Sequence, residues 1–231
     1  EDAAFTYALP ESSFLDIDVD DGLSFSASLE NGNPLPEWLS FDAQTQTFSG
    51  QPDNGGVGSL KVRVTATDLA GASVDQLLSL EVLNTNDAPA TGVVIEMQQA
   101  FEDATFTCVL PVGAFADADV GDHLSFSATL TNGDMLPSWL NLDAATGTFS
   151  GTPSNGDVGD LRICITATDQ IGAAASQTFG LVVGNTNDTP SVAVLLADQQ
   201  ATEDAYFTFT LSDGTFQDVD AGDALTLSAT R

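Results

Sequence analysis

The sequence predicts an all-β chain: a rod-like array of tandem Greek-key β-sandwiches, about seven short strands in each. Three observations lead there. The chain repeats itself with a period of 101 residues, apolar residues alternate with polar ones in short runs, and turn-forming residues separate those runs.

The repeat comes first because a missed period would misassign the whole architecture. A shift of 101 places Glu1-Asp2-Ala3 on Glu102-Asp103-Ala104 and on Glu203-Asp204-Ala205. Trp38 falls on Trp139, Asp68 on Asp169, and Asn84 to Asp87 on Asn185 to Asp188, with 51 identities over positions 1–90 and no gap. The expected domains are therefore repeat 1 over 1–90, repeat 2 over 91–190, and the N-terminal part of a truncated repeat 3 over 191–231. Repeat 2 opens with the apolar stretch Val93-Val94-Ile95, which reads as an opening strand that repeat 1 lacks. Repeat 3 stops before its counterparts of Trp38 and Asp68, so it is not expected to close a core alone. With no initiator Met and no targeting peptide, the chain reads as a piece of a longer tandem array.

Within a repeat the strands follow from parity. Phe5, Tyr7 and Leu9 share one face of the first run, Leu23, Phe25, Ala27 and Leu29 one face of the next. Val62, Val64 and Ala66, then Leu78, Leu80 and Val82, do the same further on. Asn31-Gly32, Pro34, Gly50-Gln51-Pro52, Asn54-Gly55-Gly56 and Ala70-Gly71 supply the turns. No segment shows a sustained helical period.

Composition narrows the function. There are 34 Asp+Glu against 4 Lys+Arg, a formal charge of −30, yet hydrophobic residues make up 42%, enough apolar surface for a folded chain. Nucleic acid and anionic lipid need clustered cations, and this chain has only Lys61, Arg63, Arg162 and Arg231. No apolar run approaches the roughly 18 to 20 residues of a membrane span, so membrane insertion by this segment is not expected. Cys108 lies on the apolar parity of its strand and Cys164 on the parity opposite to Ile163 and Ile165. A core thiol and a second-face thiol are expected, without a bridge.

The carboxylates are placed, not spread. Of the 34 acids 26 are Asp, many in loops at positions that recur with the period. Four signatures stand out: Glu1/Glu102/Glu203; Asp16 with Asp18, Asp117 with Asp119, and Asp218 with Asp220; Asp68/Asp169; and the linker Asn84-Thr85-Asn86-Asp87 with its copy at 185–188. Carboxylates and Asn carbonyls without His or Cys are the donor set that a hard cation such as Ca²⁺ selects. An EF-hand is excluded, because a loop starting at Asp16 would need Gly at its sixth position and Glu at its twelfth, where Asp21 and Ala27 stand.

The recurring Glu, the Asp-x-Asp loop, the Ala-Thr-Asp strand end and the Asn-Thr-Asn-Asp-Ala-Pro linker resemble the calcium motifs of cadherin repeats. Leu35-Pro36-x-Trp38-Leu39-x-Phe41-Asp42 and Thr47-Phe48-Ser49-Gly50-x-Pro52 resemble the dystroglycan-type cadherin-like repeats of large bacterial surface proteins. This resemblance implies calcium at the junctions between neighbouring repeats. The first junction would use Glu1, Asn86 and Asp87 with Asp117, Asp119 and Asp169; the second would use Glu102, Asn187, Asp188, Asp218 and Asp220. A further family ligand corresponds to Asp53, which repeat 2 replaces with Ser154.

Calcium would then stiffen the linkers, making the chain an extender or adhesion module of a secreted or cell-surface protein, bacterial by the same resemblance. Its partners would be neighbouring repeats, with cell-surface proteins or polysaccharide as further candidates. An alternative is a carbohydrate-binding module using Trp38 and Trp139, although their setting amid Leu35, Leu39 and Phe41 reads as a core anchor. A catalytic role finds no support: His123 is the sole His, without counterparts in the other repeats, and no Ser-His-Asp or Cys-His arrangement can be built for repeat 1.

Overall fold

The computed structural model describes residues 1–17, 22–220 and 222–230. Asp18 and Asp21 lie outside them. The chain forms two compact units, Glu1–Ala88 with Asp117–Asp122, and Pro89–Ala116 with His123–Arg231.

In the first unit, strand Thr47–Gly50 is flanked by Phe5–Ala8 and Leu39–Asp42, both antiparallel to it. The facing sheet has Gly58–Thr67 between Ser24–Leu29 and Ser73–Val82. Strands pair out of sequence order, which is the Greek-key signature. The long hairpin turns through Gly71 at φ +91°, a backbone state that glycine adopts without steric cost. Gly50 sits between two partner strands, and a Cβ there would lie 1.8 Å from the Trp38 carbonyl oxygen, so no larger residue fits. Leu39, Phe48, Val62 and Val64 are buried at the centre, Val62 and Val64 on the predicted parity, with Phe25, Ala27, Leu78 and Leu80 packed around them.

The second unit repeats this plan and adds to it. Thr148–Gly151 pairs with Leu140–Asp143 and Phe106–Val109. Gly159–Thr168 pairs with Ser125–Leu130 and Ala174–Gly184, and Gln98–Phe101 lies parallel to Leu181–Gly184 at the edge of that sheet. Ala90–Thr91 pairs with Phe115–Ala116. Phe149, Ile163 and Ile165 occupy the places of Phe48, Val62 and Val64, and their core is larger because Ile95, Ala100, Phe179 and Leu181 are also buried. The extra strand covers the sheet edge that Leu80 and Val82 occupy in repeat 1.

The opening stretch differs from expectation. Val93-Val94-Ile95 forms no strand; pairing comes from Ala90–Thr91 and Gln98–Phe101 on either side of it. Only Ile95 enters the core, while Val93 and Val94 stay exposed, and the Val93 N–H donates to Gly113 O at 2.7 Å instead of to a sheet neighbour. Beyond Pro190, Ser191–Val192 pairs with Phe216–Gln217, as Ala90–Thr91 does with Phe115–Ala116. Leu196, Tyr206, Phe207, Phe209, Leu225 and Leu227 remain exposed there.

Both cysteines are free. Cys108 is buried, and burial pushes its thiol pKa up. Cys164 is half-buried, in register between Thr129 and Thr178.

Candidate metal centres

Two carboxylate centres are built alike, one in each unit. In the first, Glu1 is buried, and the Thr85 N–H donates to both its carboxylate oxygens at 2.8 Å. Two residues on, the Asp87 N–H donates to Asp119 Oδ2 at 2.8 Å. Asp117 Oδ1 in turn accepts from the Asp119 N–H at 3.0 Å, the local bond that curls an Asp-x-Asp loop upon itself. Carboxylate oxygens of Glu1, Asp2 and Asp87 lie within 4.8 Å of one another, as do those of Asp117, Asp119 and Asp122.

The second centre repeats the plan within the second unit. Glu102 is only 1% exposed and accepts from the Thr186 N–H at 2.7 Å. The Asp188 N–H donates to Asp220 Oδ2 at 2.7 Å, and the Asp220 N–H to Asp218 Oδ1 at 3.1 Å. Glu102, Asp188 and Asp220 form one cluster and Asp218, Asp220 and Asp223 another, each within 4.8 Å, so Asp220 belongs to both. Glu102 comes from repeat 2 and the three later aspartates from the segment after Pro190.

The decisive feature is what these carboxylates lack. Glu102 Oε2, Asp119 Oδ1, Asp220 Oδ1 and Asp117 Oδ2 are buried and make no hydrogen bond within the protein. A buried anionic oxygen without a partner costs several kcal/mol. Two such charges 4.8 Å apart add about 3 kcal/mol of repulsion at an effective dielectric of 20. No described Lys or Arg offsets it, because the ion pairs among the described residues are Lys61–Glu30 and Arg63–Asp75, both elsewhere. A hard cation with oxygen ligands fits this donor set: Glu1, Asp2, Asp87, Asp117, Asp119 and Asp122 could hold it in the first centre, and Glu102, Asp188, Asp218, Asp220 and Asp223 in the second.

The other expected ligands make local contacts of their own. Asp169 is buried, and its Oδ1 accepts from the N–H groups of Ile171, Gly172 and Ala173 at 2.9, 2.5 and 2.8 Å, anchoring a hairpin turn. Asp68 Oδ1 accepts from the Ala72 N–H at 2.8 Å in the same way. Neither belongs to the clusters, and neither does half-buried Asp16. Asn86 and Asn187 donate to the backbone carbonyls of Asp87 and Asp188 at 2.7 and 2.8 Å. Asp53 makes no side-chain cap to the short 3₁₀ turn that follows it. Trp38 and Trp139 are half-buried and pack against the cores.

Three aspartates in the clusters were not among the expected ligands: Asp2, Asp122 and Asp223. The signal for them was the period itself. Asp2, Asp103 and Asp204 recur, and all three hold left-handed backbone at φ +59°, +58° and +57°. Asp tolerates that region better than most residues.

The fold has known counterparts. A family model described as "Putative Ig domain" matches residues 1–83 and 88–184. The chain belongs to this Ig-domain family. Its Ig-like repeats are 26% identical over 167 residues to the "Serine-rich adhesin for platelets" of Staphylococcus aureus strain MSSA476, covering 72% of this chain. The chain spans only 7% of that relative's length. Among solved structures, human CDH23 EC21-23 aligns with a TM-score of 0.57 at 20% identity, over 87% of this chain and 69% of the other. Mouse Cadherin-23 EC22-24 aligns with 0.54 at 19%, over 81% and 64%. The Ig-domain repeats are thus cadherin-like β-sandwiches in tandem. Among the described residues, no helix is long and apolar enough to cross a membrane.

Proposed function

We propose that this chain is a calcium-binding segment of a secreted or cell-surface adhesin, composed of dystroglycan-type cadherin-like repeats over 1–90, 91–190 and 191–231. It works as a non-catalytic extender or adhesion module. The observation that carries this reading is the pair Glu102 Oε2 and Asp220 Oδ1, buried, without hydrogen bonds, and contributed by two successive repeats to one cluster. Calcium supplies there the positive charge that the protein itself omits, and takes oxygens from both repeats. The two are then fixed to each other through carboxylates that would otherwise repel. Similarity to an adhesin supports the cell-surface setting, with neighbouring repeats and cell-surface molecules as partners.

The test is thermal unfolding of the 231-residue chain with chelator, calcium or magnesium. A cation that binds only the folded centres raises the midpoint by mass action. Calcium should raise it clearly and magnesium less, because an irregular set of carboxylates suits the larger ion. A midpoint unchanged at millimolar calcium would refute the assignment.

A further inference from the structure

The linker aspartates are gripped by an element the metal clusters do not include. Asn54 opens the 3₁₀ turn Asn54–Gly56, and its Nδ2 donates to Asp87 Oδ2 at 2.6 Å. Asn155 opens Asn155–Asp157 and donates to Asp188 Oδ2 at 2.6 Å. Each bond spans 33 residues of sequence.

The surroundings of the two asparagines differ. In repeat 2 the turn is closed internally, with Asp157 Oδ2 accepting from the Ser154 N–H and Oγ at 2.9 and 2.7 Å. Repeat 1 has Asp53 and Gly56 at those places, and Asp53 makes no side-chain cap. The backbone bond closing the turn is shared, Gly56 N–H to Asp53 O and Asp157 N–H to Ser154 O at 2.8 Å each. The side-chain bonds within it change between repeats while the outward bond stays the same, so the outward bond does not depend on the side-chain closure of the turn.

The donor is also uncharged. Thr85, Thr186, Asp87 and Asp188 hold the other carboxylates through backbone N–H groups. An Arg or Lys in place of the asparagine would fix the linker aspartate equally well but cancel the charge on which a cation depends. An amide fixes it, occupies one oxygen, and leaves the negative charge in place.

We propose that Asn54 and Asn155 are positioning residues of the two centres: amide clamps that hold Asp87 and Asp188 ready for the cation before it arrives. This rests on the calcium reading of the centres. The experiment is calorimetric titration of calcium chloride into the full chain, wild type against the double variant Asn54→Ala, Asn155→Ala. Loss of a residue that orients a ligand lowers metal affinity by roughly 10- to 100-fold, so at least about tenfold weaker binding at unchanged stoichiometry is expected. Affinity within twofold of wild type would overturn the inference and leave the centres standing. A wild type that takes up no calcium would overturn both.

A second variant separates positioning from folding. Asn54→Asp, Asn155→Asp keeps side-chain size but replaces a donor with a charge beside Asp87 and Asp188. Its thermal midpoint should fall several degrees in chelator, and calcium should close most of that gap. An equal drop in both conditions would mark the asparagines as turn residues only, and would also overturn the inference.

Discussion

The backbone N–H of Asp87 donates to the side chain of Asp119 at 2.8 Å, and 101 residues later Asp188 and Asp220 make the same bond at 2.7 Å. A linker amide thus holds one oxygen of a buried carboxylate, while the other oxygen, Oδ1, has no hydrogen bond in either copy. Neutral donors assemble the cluster without lowering its charge.

Asp220→Asn should therefore have opposite effects with and without metal. In chelator the variant removes one charge from both clusters and raises stability, by about 3 kcal/mol or less on the Coulomb scale above. In calcium it loses a ligand, and the midpoint falls below that of wild type. Paired thermal scans check this; a shift of the same sign in both conditions would contradict it.

Asp103 tests the left-handed backbone beside Glu102. Its φ is +58° and its N–H donates to Pro153 O at 2.9 Å. Asp103→Gly should be close to neutral, whereas Asp103→Val should cost about 1–2 kcal/mol, the penalty of a side chain in that region. Urea unfolding measures both, and equal stabilities would remove the strain argument.

The core supplies an internal reference. Phe149 is fully buried and meets Phe179 edge-on, with ring centroids 5.5 Å apart. Phe149→Ala should cost about 3–5 kcal/mol. That loss should be the same in chelator and in calcium, since Phe149 belongs to no carboxylate cluster; denaturant titration in the two buffers checks it.

Asp143 and Asp42 give a pH signature independent of metal. The N–H groups of Ala145 and Thr146 hold the Asp143 carboxyl below its ordinary pKa, and those of Thr45 and Gln44 do the same for Asp42. A pKa lowered on folding stabilises above the unfolded value of about 3.9, and that contribution is lost as pH falls through the folded value. The midpoint gap between wild type and Asp143→Ala should be widest near pH 7 and close in acid, once pH has fallen through the lowered folded value. A gap that widens in acid would contradict the sign.

Much of this was legible in the residues. Parity placed Val62, Val64 and Ala66 on one buried face, because a strand face has a strict period of two. The period of 101 pointed to Glu102, Asp188 and Asp220 as recurrent acids outside the strand faces. What stayed hidden depends on contacts across the fold. Nothing near Asn155 in sequence indicates a bond to Asp188, and nothing in Asp169 itself indicates that its Oδ1 accepts from the N–H groups of Ile171, Gly172 and Ala173. Val93-Val94-Ile95 was misleading because three apolar residues in a row satisfy a strand pattern, although the core takes only the third.

Calcium is proposed to fix one repeat to the next, and small-angle scattering on the full chain tests this most directly. Calcium should lengthen the maximum dimension and narrow the distance distribution relative to chelator. Asp117→Asn, Asp119→Asn should remove the part of that change that arises at the first centre while leaving the strand signal in circular dichroism intact. Profiles that superimpose with calcium and with chelator would contradict the account.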